Sequence, residues 1–130
     1  MRNEEEIKSE FARLCRELNL KNTSDFGIIN EDGKRTNEFL EYIENNQNLP
    51  KPIRYTYVEL IMASMNESIL LKIVNKDLKN RFKRYVFPKI GNKEWYPQID
   101  YWIRIRSKDE FPVGYLLIEY SKNIKSEKLN

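Results

Sequence analysis

The feature that most constrains the fold of this chain is the lack of any covalent or metal cross-link. Its 130 residues contain no histidine and one cysteine, Cys15, so neither an internal disulfide nor a zinc site of the usual His/Cys kind is available. A chain of this length can bury one real core, and 40% of its residues are apolar. We therefore expect a single domain over residues 1–122 that is held together by its core, followed by a frayed tail at 123–130.

The same absences limit the chemistry. Without histidine there is no Ser-His-Asp or Cys-His nucleophile system, and the chain has no glycine-rich phosphate loop. Cys15 falls on the apolar face of the first predicted helix, which indicates a buried structural thiol rather than a reactive one. Carboxylates, Lys, Tyr or Ser can support catalysis alone, but we expect a protein that is not an enzyme and binds no cofactor or metal.

The N-terminus and the apolar runs bear on the compartment. Met1–Glu6 is acidic and lacks an apolar stretch, so we predict no signal peptide. The apolar runs are far too short to span a bilayer, and we expect no membrane partner. A single cysteine fits a cytoplasmic location, and the abundance of Asn, Lys and Ile suggests an AT-rich bacterial or phage genome.

Apolar spacing predicts three helices in the first half of the chain, over residues 4–18, 36–46 and 54–66. Between the first two helices, residues 26–29 are predicted to form a short strand. This strand would run into the turn pair Asp32–Gly33.

Residues 68–86 favour a fourth helix, but the start of this segment is ambiguous. Ile69–Val74 fits a strand equally well, with Asp77 capping a shorter helix after it. Periodicity alone does not decide between the two interpretations, because a short apolar run satisfies both periods.

The C-terminal part of the chain predicts a β-hairpin. Apolar residues alternate with polar or aromatic ones at Ile99, Tyr101, Ile103 and Ile105, which is typical of a half-buried strand. Val113–Tyr120 is more uniformly apolar and is predicted to be the second strand. Two strands alone are only marginally stable. The predicted fold class is therefore α+β, with three or four helices packed against a C-terminal antiparallel β-hairpin or small sheet.

The two halves of the chain carry opposite net charge. Residues 1–50 hold 7 basic and 11 acidic side chains, whereas residues 51–130 hold 16 basic and 9 acidic ones. Four lysines of the predicted 68–86 helix share one side of it, at spacings of 4, 3 and 4 residues. Two arginines of the same helix widen the positive surface. The six residues are Lys72, Lys76, Lys79, Arg81, Lys83 and Arg84. Such a surface suits phosphates or an acidic protein, although a merely solvated helix face has the same composition.

The outward face of the first predicted strand is the second candidate surface. It presents Trp102, Arg104 and Arg106. An aromatic side chain between arginines can stack on bases, and Trp and Arg are also enriched in protein–protein hot spots. Together with the six basic residues of the helix, these three form the predicted partner-binding set.

Three hypotheses of function follow. The leading one is a non-catalytic inhibitor or immunity-type protein that occludes a protein partner, either as a monomer or as a weak homodimer. The acidic first helix would be a second contact surface if the target had a basic cleft. The size, composition and missing catalytic groups resemble those of small accessory proteins of mobile elements.

The alternative is a nucleic-acid-binding regulator of winged-helix type, which would use the basic 72–84 helix and the 97–120 hairpin. The third hypothesis is a Mg²⁺-dependent nuclease. Asp100, Glu119 and Lys122 resemble the metal-binding core of the PD-(D/E)xK nucleases. The lysine, however, lies three residues after the glutamate rather than two.

Overall fold

The part of the chain that the structure describes, residues 2–129, folds into α-helices joined by turns. In this computed structural model the side chains are described through residue 124. The seven helices are α1 (Glu4–Leu18), α2 (Phe26–Ile29), α3 (Thr36–Glu44), α4 (Lys51–Leu70), α5 (Lys76–Val86), α6 (Tyr96–Arg104) and α7 (Val113–Leu129). Two short 3-10 turns, Phe87–Lys89 and Lys93–Trp95, lie between α5 and α6. Residues 2–129 contain no strand, so the predicted α+β fold class is wrong.

Helix α4 is the central element. Helices α2, α3, α6 and α7 all contact it. Eleven of its 20 residues are buried, and they lie on every side of the helix rather than on one face. The fully buried side chains include Tyr57, Leu60, Met62 and Met65. A helix that is buried on every side belongs in the middle of a helical domain, with other helices packed around it.

Two buried polar residues of α4, Ser68 and Asn66, fix the loops around it. The Ser68 hydroxyl donates to the Gly33 carbonyl at 2.6 Å. The Asn66 side-chain amide donates to the Glu110 carbonyl at 2.8 Å, and its oxygen accepts from the Val113 N–H at 3.1 Å. Asn66 therefore satisfies an N–H at the start of α7 from a distant helix, and both polar side chains are paired as buried groups must be.

The helices of the first half confirm the sequence prediction. Helix α1 covers residues 4–18 as expected, and the Asn3 side chain caps it by accepting from the Glu6 N–H at 2.8 Å. Helix α3 ends at Glu44, two residues earlier than predicted, and α4 extends the predicted 54–66 helix at both ends. Cys15 is buried, and burial raises the pKa of its thiol, as expected for a structural cysteine.

The predicted strand at 26–29 is wrong, because these residues form the single helical turn α2. This turn lies directly on α4: a methyl group placed on Gly27 would be 2.6 Å from the Glu59 Cβ. The helical turn buries Phe26 and leaves Ile28 65% exposed. A strand would have placed these two residues on the same face, whereas the helical turn separates them and lets Gly27 pack closely against α4.

The predicted 68–86 helix is interrupted. Helix α4 ends at Leu70, and Lys72 adopts the left-handed conformation with φ of 58°. The Ile73 N–H bonds back to the Ser68 carbonyl at 3.1 Å, which closes the helix end. Helix α5 then begins at Lys76, capped by Asn75 rather than by Asp77. Of the two interpretations, the shorter helix is right, and residues 69–74 contain no strand.

The predicted C-terminal hairpin is wrong in both strands. Residues 96–104 form α6, with Pro97 in its first turn, and residues 113–129 form α7. Helix α6 buries Ile99 and Trp102, which are three residues apart. The only β pairing in residues 2–129 is an isolated antiparallel bridge between Ser107 and Phe111, in the loop that joins the two helices.

Helix α7 packs closely against α6. Val113, Leu117 and Tyr120 are buried, at spacings of four and three residues. A methyl group placed on Gly114 would collide with the Trp102 carbonyl oxygen, so this glycine is required for the approach of the two helices. These contacts stabilise helices where β-branched composition alone favours strands.

The predicted tail at 123–130 stays a prediction. The backbone of α7 is helical through Leu129, and Asn130 lies outside the described residues. Within residues 2–129, every helix is too short or too polar to cross a bilayer.

Candidate functional site

Three lysines of α5 form a row on one exposed flank of the helix. We call Lys76, Lys79 and Lys83 the α5 lysine row. At 100° per residue they lie within about 60° of one another around the helix axis. The first two are exposed. The ammonium of Lys83 lies 5.1 Å from the ring centroid of Phe87 and 5.6 Å from that of Tyr120. These aromatic faces hold the third cation in a defined place.

The α5 lysine row has no counter-ion within the described part of the chain. None of its three ammonium groups lies within 4.0 Å of a carboxylate in the ion pairs of residues 2–124. Asp77 is the one acidic residue of α5, and it forms no ion pair with any of the three lysines. Within residues 2–124 the row is therefore positive charge without a directly paired carboxylate, on the convex outer face of the helix.

The two arginines of α5 have a different role. Arg81 Nε lies 3.4 Å from a Glu44 carboxylate oxygen, and its Nη1 donates to the Asn37 side-chain oxygen at 2.8 Å. Arg84 Nη2 lies 3.8 Å from the same Glu44 oxygen. Both arginines thus tie α5 to α3, on the flank away from the lysine row. Lys72 is also separate from the row, because it lies in the turn before α5.

Trp102 is not on the surface. It is 6% exposed and packs against Tyr101 and Phe111 with edge-to-face ring geometry. Among the described residues its indole N–H has no hydrogen-bond partner. The helix places Tyr101 outward instead, 43% exposed, where the strand prediction placed it inward. The helical spacing of Ile99 and Trp102 was the signal that would have found this.

Arg104 and Arg106 remain exposed, with neighbours that sequence analysis missed. Arg104 Nε pairs with the Asp100 carboxylate at 2.8 Å, one helical turn away. The Arg106 guanidinium lies 6.0 Å from the ring centroid of Tyr115, which is 44% exposed. We call Tyr101, Arg104, Arg106 and Tyr115 the α6–α7 surface.

The nuclease-like and winged-helix arrangements both depended on the hairpin. Asp100 and Glu119 lie on helices, and Asp100 is paired with Arg104. In the described part of the chain no three Asp, Glu, Cys or His side chains are grouped so that they could hold a metal ion. Neither strand of a wing is present in residues 2–129. The structural basis of both hypotheses is therefore lost.

A cavity that sequence analysis missed lies between the end of α3, the start of α4 and the end of α5. Its volume is about 600 Å³. The polar and aromatic side chains in its wall are Glu44, Gln47, Arg54, Arg84, Tyr85 and Lys89. We call it the Lys89 cavity. Three of these six side chains are cationic and one is anionic, so the wall is positive on balance.

Lys89 is largely removed from water. Its ammonium donates to the Tyr85 carbonyl at 3.0 Å, and lies 3.9 Å from the ring centroid of Tyr85 and 4.9 Å from that of Trp95. The pKa of Lys89 is lowered to about 8, chiefly by burial and also by the nearby Arg54 guanidinium, while Glu94 acts in the opposite direction. A residue in a cavity whose pKa is strongly perturbed by burial and a charged neighbour marks a candidate functional site.

Comparison with known proteins adds no assignment. No family model, curated protein or solved structure matches this chain. Any proposal for its function therefore depends on the α5 lysine row, the α6–α7 surface and the Lys89 cavity.

Proposed function

We propose that this protein is a non-catalytic binding protein of the inhibitor or immunity type, and that it occludes an acidic patch on a protein partner. The observation that carries the proposal is the charge balance of α5. Glu44 compensates the arginines on one flank, whereas the lysine row on the other flank has no carboxylate within 4.0 Å in residues 2–124. Like charges at this spacing repel one another, and an acidic partner relieves that repulsion.

The geometry of the row suits docking. Lys76 and Lys79 are exposed on a helix that is anchored by Leu78, Phe82 and Val86. The charged groups therefore project from a rigid support, and Lys83 is further held by its contacts with aromatic rings. Preorganised surface charges accelerate encounter with an oppositely charged protein and fix its orientation.

A protein fits the row better than a nucleic acid does. The row runs for about 10 Å along the helix. It offers three phosphate contacts, against the roughly 6–10 of a typical DNA-binding protein. The α6–α7 surface adds two exposed tyrosines and two arginines, which are residue types enriched in protein interfaces. Arg104 and Arg106 therefore stay in the proposed interface, with Tyr101 and Tyr115 in place of Trp102.

The experiment is affinity capture from a lysate of the source organism, with the full chain as bait. Three baits are compared: the wild type, the double variant Lys76→Glu/Lys79→Glu, and the control Lys8→Glu/Lys34→Glu. Each variant reverses two exposed lysines. We expect one protein to be retained by the wild type and the control and to be lost, about 10-fold or more, with the row reversed.

Two further steps decide the class of partner. Each capture is run on untreated lysate and repeated on nuclease-treated lysate, in which a partner bound only through RNA or DNA is lost. Circular dichroism of each bait shows that the helices are intact. Recovery of nucleic acid alone, or of the same proteins by all three baits, would contradict the proposal.

A further inference from the structure

The Lys89 cavity has no part in the proposed occlusion. It lies on the Arg81/Arg84 flank of α5, away from the lysine row, and it is concave where the row is convex. Its two inner cations, Arg54 and Lys89, come from segments 35 residues apart in the chain. Both lie over the ring of Trp95, at 5.9 Å and 4.9 Å from its centroid. The fold therefore brings two positive charges to one buried indole.

Neither inner cation has a directly paired carboxylate, and Glu94, whose charge acts on Lys89, is bound to Lys51 and Tyr55 instead. In residues 2–124, the ion pairs include no carboxylate within 4.0 Å of Arg54 or Lys89. Arg54 uses its Nε to donate to the Leu49 carbonyl at 3.0 Å, and Lys89 donates to the Tyr85 carbonyl. The hydrogen bonds of Arg54 leave its two terminal nitrogens without a protein acceptor among the described residues. A guanidinium fork with free donors matches two oxygens of a phosphate.

We propose that the Lys89 cavity binds the phosphate group of a small phosphorylated molecule, held between Arg54 and Lys89, with Arg84 at the rim. This site is independent of the proposed function, because no residue of the α5 lysine row belongs to it. Holding two cations together without a directly paired carboxylate costs folding free energy, and a bound dianion offsets that cost.

The wall of the cavity narrows the class of ligand. The cations already cover the faces of Tyr85 and Trp95, so recognition is by charge and hydrogen bonds rather than by stacking of a base. A volume of about 600 Å³ lies within the range of small-molecule sites and exceeds what a bare phosphate fills. The Glu44 carboxylate on the same wall disfavours an extended polyanion such as a nucleic acid strand. A phosphate monoester is therefore the ligand class.

The test is isothermal titration calorimetry of the full chain with three probes: inorganic phosphate, adenosine monophosphate and acetate. We expect both phosphate-containing probes to bind, and acetate to bind at least about 10-fold more weakly. Lys89→Met and Arg54→Met should each weaken binding about 10-fold or more, whereas Lys89→Arg retains it. Lys34→Met is the matched control, since Lys34 is exposed and does not line the cavity.

A second readout needs no variant. A bound anion raises the pKa of Lys89 from about 8, so binding at pH 8 should take up protons. The apparent binding enthalpy then differs between buffers with different ionisation enthalpies. No heat with either phosphate probe, equal affinity for acetate, or binding that is unchanged in both Lys89→Met and Arg54→Met would overturn the proposal. Lys76→Glu/Lys79→Glu should leave phosphate binding unchanged, which separates this site from the proposed docking surface.

Discussion

The α5 lysine row and the Lys89 cavity are both cationic, but they differ in solvent exposure. The row lies on a convex helix face, where Lys76 and Lys79 are exposed and have no carboxylate partner among the described residues. Lys89 lies in a concave wall against two aromatic rings, and its pKa is lowered to about 8. A lysine ammonium in the row is therefore placed for the proposed long-range attraction of a partner, whereas the Lys89 ammonium is placed for the proposed close contact with a small anion.

The comparison shows that solvent access, rather than charge, separates the two regions. Exposed charges act on partners over about a Debye length and are weakened by salt. Charges in a low-dielectric cavity act more strongly on a ligand that enters it. Until a ligand binds, their burial lowers the stability of the fold. Helix α5 contributes to both regions through opposite flanks, so its anchoring in the core is a shared requirement.

The largest expected effect comes from removing that anchor. Phe82 is fully buried on the inner side of α5. Phe82→Ala should lower the free energy of unfolding by about 3–5 kcal/mol, because it deletes a buried ring and leaves a cavity. Urea unfolding followed by circular dichroism measures this, with Asn80→Ala on the exposed side of the same helix as the control. A loss below about 1 kcal/mol would show that α5 is not anchored as described.

A smaller effect concerns the stability of the fold as a function of pH. The folded pKa of Lys89, about 8, lies below its ordinary value of 10.5. Between these values the unfolded chain binds more protons than the folded one. The loss of stability caused by burying the Lys89 charge therefore shrinks as pH rises and is gone above 10.5. Between pH 7 and pH 9.5, the wild type should gain stability relative to Lys89→Met.

Taking the difference between the two proteins cancels the other titrating groups. Burial raises the pKa of Cys15 and of Tyr85, which lowers stability at alkaline pH in both proteins. Thermal unfolding at four pH values gives the comparison, and Lys89→Arg is the control that keeps the charge. A stability difference between wild type and Lys89→Met that stays constant over this range would contradict the burial of the Lys89 ammonium.

The smallest effect separates Lys72 from the lysine row. Lys72 has φ of 58°, a conformation that favours glycine at a helix C-terminus. Lys72→Gly should therefore stabilise the fold by about 0.5 kcal/mol, a net value after the entropy that glycine loses on folding. Capture of the partner should be unchanged. A clear loss of capture would return Lys72 to the interface.

The sequence predicted the first half of the fold well, because its signals there are long and redundant. Helix α1 combines an apolar spacing over 15 residues with Asn3 as its cap and acidic residues in its first turn. Helix α4 contains enough apolar residues at helical spacing for its helix to be predicted, even though it is buried on every side. In both helices the local preference and the tertiary contacts agree.

The prediction for the second half of the chain was wrong because its short apolar segments satisfy both the strand and the helix period. Ile99 and Ile103 share a face of a strand and also recur at helical spacing. The contacts that favour helices are the packing of Trp102 against Phe111 and the close approach of α6 to α7 at Gly114. Those contacts join separate elements, so no local window contains them.

The candidate sites show the same difference between features within one helix, which the sequence predicts, and features that depend on contacts between elements, which it does not. Lys76, Lys79 and Lys83 were placed on one face correctly, since a single helix carries them all. The Lys89 cavity could not be predicted, because Arg54 and Lys89 lie 35 residues apart in the chain and meet only in the folded protein. Trp102 was predicted on the surface and is buried, as a consequence of the wrong period.

The measurement that tests the central claim most directly is a fluorescence-anisotropy titration of the chain with labelled single- and double-stranded DNA at two salt concentrations. The row is proposed to bind an acidic protein surface, so the account predicts no sub-micromolar binding to either DNA at the higher salt. It also predicts that any binding at low salt is weak and falls with a slope of about three or less. Sub-micromolar binding to duplex DNA that Lys76→Glu/Lys79→Glu abolishes would contradict the account and assign the α5 lysine row to nucleic acid.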